Sequence, residues 1–104
     1  MQLEQYQWRI EANKLYRVRK LNSLMSNQQV EPNIMVKGTV NVYGLNSDVA
    51  PQSLNDMILP KVNQNVEGFA TFGIIPSYLY CEGEADDIIL SGVEVLQDLG
   101  AFEG

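Results

Sequence analysis

The 104-residue sequence has no histidine and a single cysteine, Cys81. Without histidine, neither a Ser-His nor a Cys-His catalytic pair can form within this chain, and one cysteine excludes an internal disulfide. Cys81 precedes a run of carboxylates that begins at Glu82, and neighbouring negative charge raises the pKa of a thiol rather than activating it. We therefore expect Cys81 to be a small residue of a strand.

Basic residues are scarce and unevenly placed. Seven Lys and Arg stand against thirteen Asp and Glu, which gives a formal charge of −6. Five of the seven bases precede residue 21, and none follows Lys61. The net charge disfavours nonspecific binding to nucleic acid. The asymmetry indicates either that opposite charges meet, within the fold or between copies, or that solvated faces balance locally.

Long apolar runs and catalytic motifs are also missing. No run approaches the roughly 20 apolar residues that span a bilayer, so we expect no membrane association. The sequence has no glycine-rich phosphate loop and no metal-ligand spacing. We therefore expect a protein that is not an enzyme and holds no cofactor.

The clearest positive signal is the alternation between residues 34 and 44. Ile34, Val36, Val40 and Val42 fall on one side of an extended chain, and mostly polar residues fall on the other. This alternation is typical of a half-buried strand. Gly38 inside it indicates a bulge or a close approach of a neighbouring chain. We expect this strand to organise the core.

The N-terminal part admits two interpretations. We favour strands at residues 5–12 and 15–21 with a turn at 13–14, because aromatic side chains alternate with polar ones there. The alternative is an amphipathic helix over residues 3–24, since Gln, Glu, Lys and Leu favour helices. A polar loop at residues 26–29 and a break at residues 31–33 separate this part from the main strand.

The second half predicts a crossover followed by three strands. The long connection from Gly44 to Gly68 includes a short helical turn in residues 51–57, after which Met57, Ile58 and Leu59 would plug the core. Strands are then predicted at 68–75, 77–81 and 87–96. The acidic residues 82–86 would form a turn, and residues 98–100 would end the ordered pattern. A bulge at Ser91-Gly92 would bring the last strand's apolar pairs onto one face, as a partner of residues 34–44.

These elements predict an all-β fold, a small antiparallel β-sandwich of jelly-roll or Ig-like type. Residues 1–27, extended or helical, would form N-terminal strands or an arm that packs on the domain or on a neighbour. Residues 28–104 would form the sandwich itself.

Three groups of side chains are candidates for binding. The acidic cluster of residues 82–87 has enough oxygen donors for calcium but lacks the spacing of an EF-hand loop, so a solvated turn is favoured. Trp8 and the tyrosines either form a sugar-binding platform or fill the core. The basic segment 17–20 is favoured as the polar face of a strand over a nucleic-acid contact, given the overall charge. The candidate partner contacts are Trp8, Arg9, Arg17, Arg19, Lys20, Glu82, Glu84, Asp86 and Asp87.

Several phrases of the sequence resemble small β-structured bacteriophage virion proteins. Residues 36–47 (VKGTVNVYGLNS) resemble the V-x-G-x-V-x-V-Y-G-S-N strand and turn of these proteins, with Leu45 in place of the serine. Residues 51–57 (P-x-S-L-x-x-M) resemble the stretch that follows. Residues 75–80 (IPSYLY), 88–95 (IILSGVEV) and 99–100 resemble the closing strands.

The resemblance implies a structural component of a phage particle: a decoration, fibre, head-tail or tail protein. Such a protein is made in the host cytoplasm and resides in the virion, has no cofactor, assembles as a homo-oligomer and docks onto other virion proteins. No site residues are implied, because the shared pattern defines a fold. The residues leave two alternatives open: a carbohydrate-binding β-sandwich, and a small inhibitor whose acidic face mimics nucleic acid.

Overall fold

A computed structural model describes residues 7–21 and 32–102, and these residues form six β-strands and one short 3₁₀ helix. The predicted loop at 26–29 and Glu31 of the predicted break lie outside the described residues. Of the rest of that break, Pro32 lies outside any strand, whereas Asn33 already belongs to one. Every strand pairing is antiparallel, which confirms the predicted all-β class. The elements are β1 (Gln7–Ile10), β2 (Lys14–Lys20), β3 (Asn33–Leu45), the 3₁₀ helix (Leu54–Met57), β4 (Lys61–Thr71), β5 (Tyr78–Ser91) and β6 (Val93–Ala101).

All six strands belong to one hydrogen-bonded sheet rather than to two separate sheets. The order is β4-β3-β5-β2-β6, and β1 also pairs with β5. β3 lies along the whole of one edge of β5. The other edge of β5 is shared, because β2 pairs with its first residues and β1 with its last. The N-terminal part is therefore extended within the described residues, and its strands are integral to the sheet.

This sheet curves strongly around its core. The crossover from β4 to β5 is tied to both ends of β3, because Phe72 N–H donates to Pro32 O and Ser77 N–H donates to Leu45 O. Five residues of extended chain span at most about 18 Å. A straight strand from Pro32 to Leu45 would measure about 43 Å. β3 must therefore bend, and all six strands contribute side chains to the main buried cluster.

β3 is the central strand that its alternation predicts. Ile34, Val36, Val40 and Val42 are all buried in the main cluster. Its predicted partner, residues 88–95, is correct only in part, because residues 88–91 belong to β5 and pair with β3, whereas the rest begins β6.

The predicted long crossover from Gly44 to Gly68 is wrong, because Lys61–Thr71 forms strand β4 beside β3. Polar Asn63, Gln64 and Asn65 fit this strand because it lies at the edge of the sheet, where one side remains in solvent. The helical turn is confirmed. Only Met57 of the predicted plug is buried; a single short turn cannot direct the next two side chains inward as well.

The predicted acidic turn at residues 82–86 is also wrong. β5 runs without interruption from Tyr78 to Ser91, so the carboxylates lie in the middle of a strand. Gly92 joins β5 to β6, and these two strands do not pair with each other. β6 continues to Ala101, beyond the predicted end of order at residues 98–100.

A second, smaller buried cluster lies on the opposite face of the sheet. Tyr78 and Tyr80 of β5 alternate with Leu79 and Cys81, which belong to the main cluster. Met57 of the 3₁₀ helix packs into this second cluster. Its other buried members are Leu15 and Tyr43.

Candidate interaction surfaces

A β-bulge at Asp86 keeps the acidic residues of β5 on the surface. Lys37 and Gly38 of β3 face Asp87 and Ala85, so Asp86 is an extra residue without a partner opposite. The bulge shifts the alternation by one residue. Ala85 before it and Ile88 after it consequently both face the main core, and the carboxylates remain exposed or half-buried.

Two glycines allow β3 and β5 to approach closely beside this bulge. Gly38 has φ +134°, and a Cβ atom there would lie 2.5 Å from Ala85 Cα. Gly83 has φ +142°, and a Cβ atom there would lie 2.5 Å from Thr39 O. The close approach predicted at Gly38 is confirmed, and Gly83 of β5 is the second glycine that permits it.

An acidic cleft opens where the N-terminal chain separates from β5. From Ile10 to Leu15 the chain advances five residues, whereas β5 advances eight between their partners Tyr80 and Ile88. These two segments of the chain therefore cannot stay paired, and a cleft of about 570 Å³ lies between them. Its lining residues are Arg9, Ile10, Glu11, Ala12, Asn13, Gly83, Glu84, Ala85, Asp86 and Asp87.

The cleft brings together four of the nine candidate contacts: Arg9, Glu84, Asp86 and Asp87. Arg9 Nε lies 2.9 Å from Asp87 Oδ1 across the strand pair. The Arg9 side chain is 73% exposed, so this pair contributes at most about 1 kcal/mol. The sequence reading missed Glu11, which the opposite wall supplies and which only the pairing of distant strands places here.

The remaining five candidates lie outside the cleft. Arg19 on β2 pairs with Glu94 on β6 (Nη2–Oε2, 2.9 Å), and its neighbours Arg17 and Lys20 are exposed. Glu82 accepts a hydrogen bond of 3.2 Å from the Tyr43 hydroxyl. Trp8 is partly exposed on β1, opposite Leu90.

Some of the opposite charges that the sequence separates thus meet within the fold. β2 carries bases and lies beside β6, which carries acids. The closest ion pair joins Lys14 Nζ to Asp98 Oδ2 at 2.7 Å. Hydrogen bonds from Lys14 and then from Gly100 N–H lower the pKa of Asp98, and the bond to Asp98 raises the pKa of Lys14.

The Lys14–Asp98 pair predicts a specific dependence of stability on pH. Because the folded state lowers the pKa of Asp98, the pair stabilises the fold above the pKa of the unfolded carboxyl and loses this effect as the pH falls through the folded value. We expect Asp98→Asn to lower the urea midpoint slightly at pH 7 and to match wild type in strong acid. Asp48→Asn is the control, because no ion pair in the described residues involves Asp48. An equal deficit at both pH values would contradict the prediction.

The tyrosines do not form an exposed platform. Tyr16, Tyr43, Tyr78 and Tyr80 are all buried, and Tyr6 lies outside the described residues. Burial, followed by the contact with Glu82, raises the pKa of Tyr43. These four rings fill the two clusters, which is the alternative that the sequence left open beside sugar binding.

Sequence reasoning missed an exposed apolar surface at the end of β3 and the start of β4. Leu59 is 93% exposed and Ile74 is 76% exposed. Ile74 and Pro60, the residue after Leu59, line a groove of about 430 Å³ whose lining is mainly apolar. We call Ile58, Leu59, Ile74 and this groove the Leu59 surface. The groove is lined by Gly44, Asn46, Pro60, Lys61, Val62, Gly73, Ile74 and Pro76.

A second apolar row crosses the outer face of the sheet. Phe69 lies opposite Met35, Met35 opposite Ile89, and Ile89 opposite Arg9. Phe69 and Met35 are more than half exposed. The alternation of β3 places Met35 on the outer side, but the neighbours that complete the row come from distant strands.

Cys81 lies in the main core, where burial raises the pKa of its thiol to about 12. Residues 7–21 and 32–102 contain no group of three His, Cys, Asp or Glu side chains that could hold a metal ion. The same residues include no helix of the length and hydrophobicity needed to cross a bilayer. Comparison with protein-family models, curated proteins and solved structures found no match.

Proposed function

We propose that this chain is a non-enzymatic structural protein of a phage particle, present in multiple copies and docked onto other capsid, neck or tail proteins. The observation that carries the docking role is the Leu59 surface, where almost fully exposed Leu59 directly precedes Pro60, which lines the same apolar groove as Ile74. Exposed apolar patches beside a groove mark contact sites in soluble proteins. The assignment to a phage particle rests on the sequence resemblance of residues 36–47 and of the closing strands.

The edges of the sheet favour docking through faces rather than through strand addition. β4 and β6 end the strand order, and the third edge strand, β1, has only four residues. The pairing of β4 with β3 shifts register three times, and the pairing of β6 with β2 shifts twice. Bulged edges do not offer a regular row of hydrogen-bonding groups to another strand. The exposed apolar side chains therefore provide the better contact.

Substitution of Leu59 by aspartate tests this docking role. We expect Leu59→Asp to reduce incorporation of the chain into phage particles strongly, because a carboxylate cannot be buried in an apolar contact without a partner. The free energy of unfolding should change by less than about 0.5 kcal/mol, because the side chain is already in solvent. Incorporation is measured by quantitative mass spectrometry of purified virions.

Val49→Asp is the matched control, because Val49 is also well exposed in the same connection, but neither it nor its neighbours in sequence line the groove. It should enter particles as wild type does. Equal incorporation of Leu59→Asp and wild type would remove the Leu59 surface from the proposal. A wild-type chain that stays monomeric at all salt concentrations and never enters particles would overturn the function itself.

A further inference from the structure

We propose that strand β1 is exchanged between copies of this chain, so that β1 of one copy pairs with the β5 edge of a second copy. The inference rests on the proposed function, which supplies the neighbouring copies. It deepens that function by naming one contact between them.

β1 is held in place by few contacts. It has four residues, of which only Ile10 is buried. Its ladder pairs residues 7–10 with residues 88–91 of β5, and its ion pair joins Arg9 to Asp87 of the same strand. A second copy presents the same edge of β5, the same Asp87 carboxylate and the same buried site for Ile10. Exchange therefore reproduces these contacts between chains.

The chain next to β1 has the features of a hinge. Asn13 is fixed, because its N–H donates to Cys81 O and its side-chain amide both donates to and accepts from the Gly83 backbone, at 2.9 and 3.1 Å. Glu11 and Ala12 cross the acidic cleft, and no strand pairing joins them to β5 in the described structure. The chain can therefore turn between Ile10 and Asn13 while β2 stays in the sheet.

Exchange breaks two contacts of the hinge that a second copy does not restore. Glu11 N–H donates to the Tyr16 hydroxyl at 2.9 Å, and Glu11 Oε2 lies 3.5 Å from Lys14 Nζ. Both contacts hold the hinge in its present conformation. The other cost is the entropy of association, and this cost falls when copies are held together in an assembly. The closed arrangement is therefore favoured in dilute solution and the exchanged one in an assembly.

A mixture of two single-cysteine variants detects exchange directly. Arg9 and Ile89 lie opposite each other across β1 and β5. Opposite Cα atoms of antiparallel strands are about 4.5–5.5 Å apart, which suits a disulfide. Mixing concentrated Arg9→Cys with isotope-labelled Ile89→Cys under mild oxidation should give a disulfide-linked heterodimer of twice the 11.7 kDa chain mass. Cys81 does not interfere, because its buried thiol has a pKa raised to about 12.

Two further mixtures make this test specific. Lys37→Cys replaces an exposed residue of β3, which does not exchange, so its mixture with Ile89→Cys should give only traces of heterodimer. Tyr16→Phe, added to both partners of the first mixture, removes the bond to Glu11 and should increase the yield of heterodimer. Heterodimer at the level of the Lys37→Cys control would overturn the exchange.

The double variant Arg9→Cys/Ile89→Cys separates this inference from the proposed function. Oxidised as a dilute monomer, it locks β1 onto its own β5. We expect the locked chain to lose incorporation into particles and to regain it on reduction. If the locked chain enters particles as wild type does, exchange is overturned and the structural role stands. If wild type itself is absent from particles, the structural role fails, and the mixing experiment alone decides the exchange.

Discussion

Replacement of Gly38 by alanine is expected to lower the free energy of unfolding by about 2–6 kcal/mol. Two effects add at this position. The backbone has φ +134°, which L side chains rarely adopt, and the new Cβ atom would meet Ala85 Cα and Glu84 O at 2.5 Å. Both neighbours are backbone atoms of β5, so neither can move without disturbing the β3–β5 ladder. Urea unfolding followed by tryptophan fluorescence measures the loss.

Two other glycines separate the backbone effect from the overlap. Gly100 has φ +88° with open space around its Cβ position, so Gly100→Ala should show only the strain. Gly73 has open space and no unusual φ, so Gly73→Ala should be neutral or slightly stabilising. The expected order of destabilisation is Gly38, then Gly100, then Gly73. If Gly38→Ala is no worse than Gly100→Ala, β3 and β5 do not approach as closely as described.

Truncation of Leu90 to alanine is expected to cost about 2–5 kcal/mol of stability. Leu90 is fully buried in the main cluster and lies opposite Ile34 of β3 and Trp8 of β1. Solvent does not fill the apolar space that the truncation leaves. The cavity that its removal leaves adds to the lost transfer free energy. Calorimetric or urea unfolding gives the difference from wild type.

Leu59→Ala is the matched control for Leu90→Ala, because the same atoms are removed from a side chain that is 93% exposed. We expect its stability to stay within about 0.5 kcal/mol of wild type. Similar losses for both variants would place Leu59 in a contact inside the fold. That result would also remove it from the proposed docking surface.

The sequence predicts this fold best where burial alternates regularly. β3 is correct because Ile34, Val36, Val40 and Val42 share one buried face, which is interrupted only at Gly38. The prediction of two strands in place of β5 is wrong because Glu82, Glu84 and Asp86 have a composition typical of a turn. The cause of their extended structure lies elsewhere in the chain. That cause is the close pairing of Gly83 with β3.

The candidate surfaces could be predicted only in part, for a related reason. Arg9 and the carboxylates of β5 stand out by charge, but their meeting in one cleft depends on the unequal spacing of two distant strand pairings. Leu59 was assigned to the core from its hydrophobicity alone. A 3₁₀ turn that buries Met57 directs the following residues outward, and this geometry is not a property of the residues themselves.

The position of β2 between β5 and β6 has a consequence for how the chain folds. Residues 14–20 are made before residues 78–101, which form both of their ladders. β1 and β2 therefore cannot pair until β5 and β6 have been made, and most strand pairs join residues that are far apart in the sequence. Such topologies fold slowly, in milliseconds to seconds. During that delay the basic residues of β2 keep an otherwise apolar strand in solution, and the acidic residues of β6 attract it when they emerge.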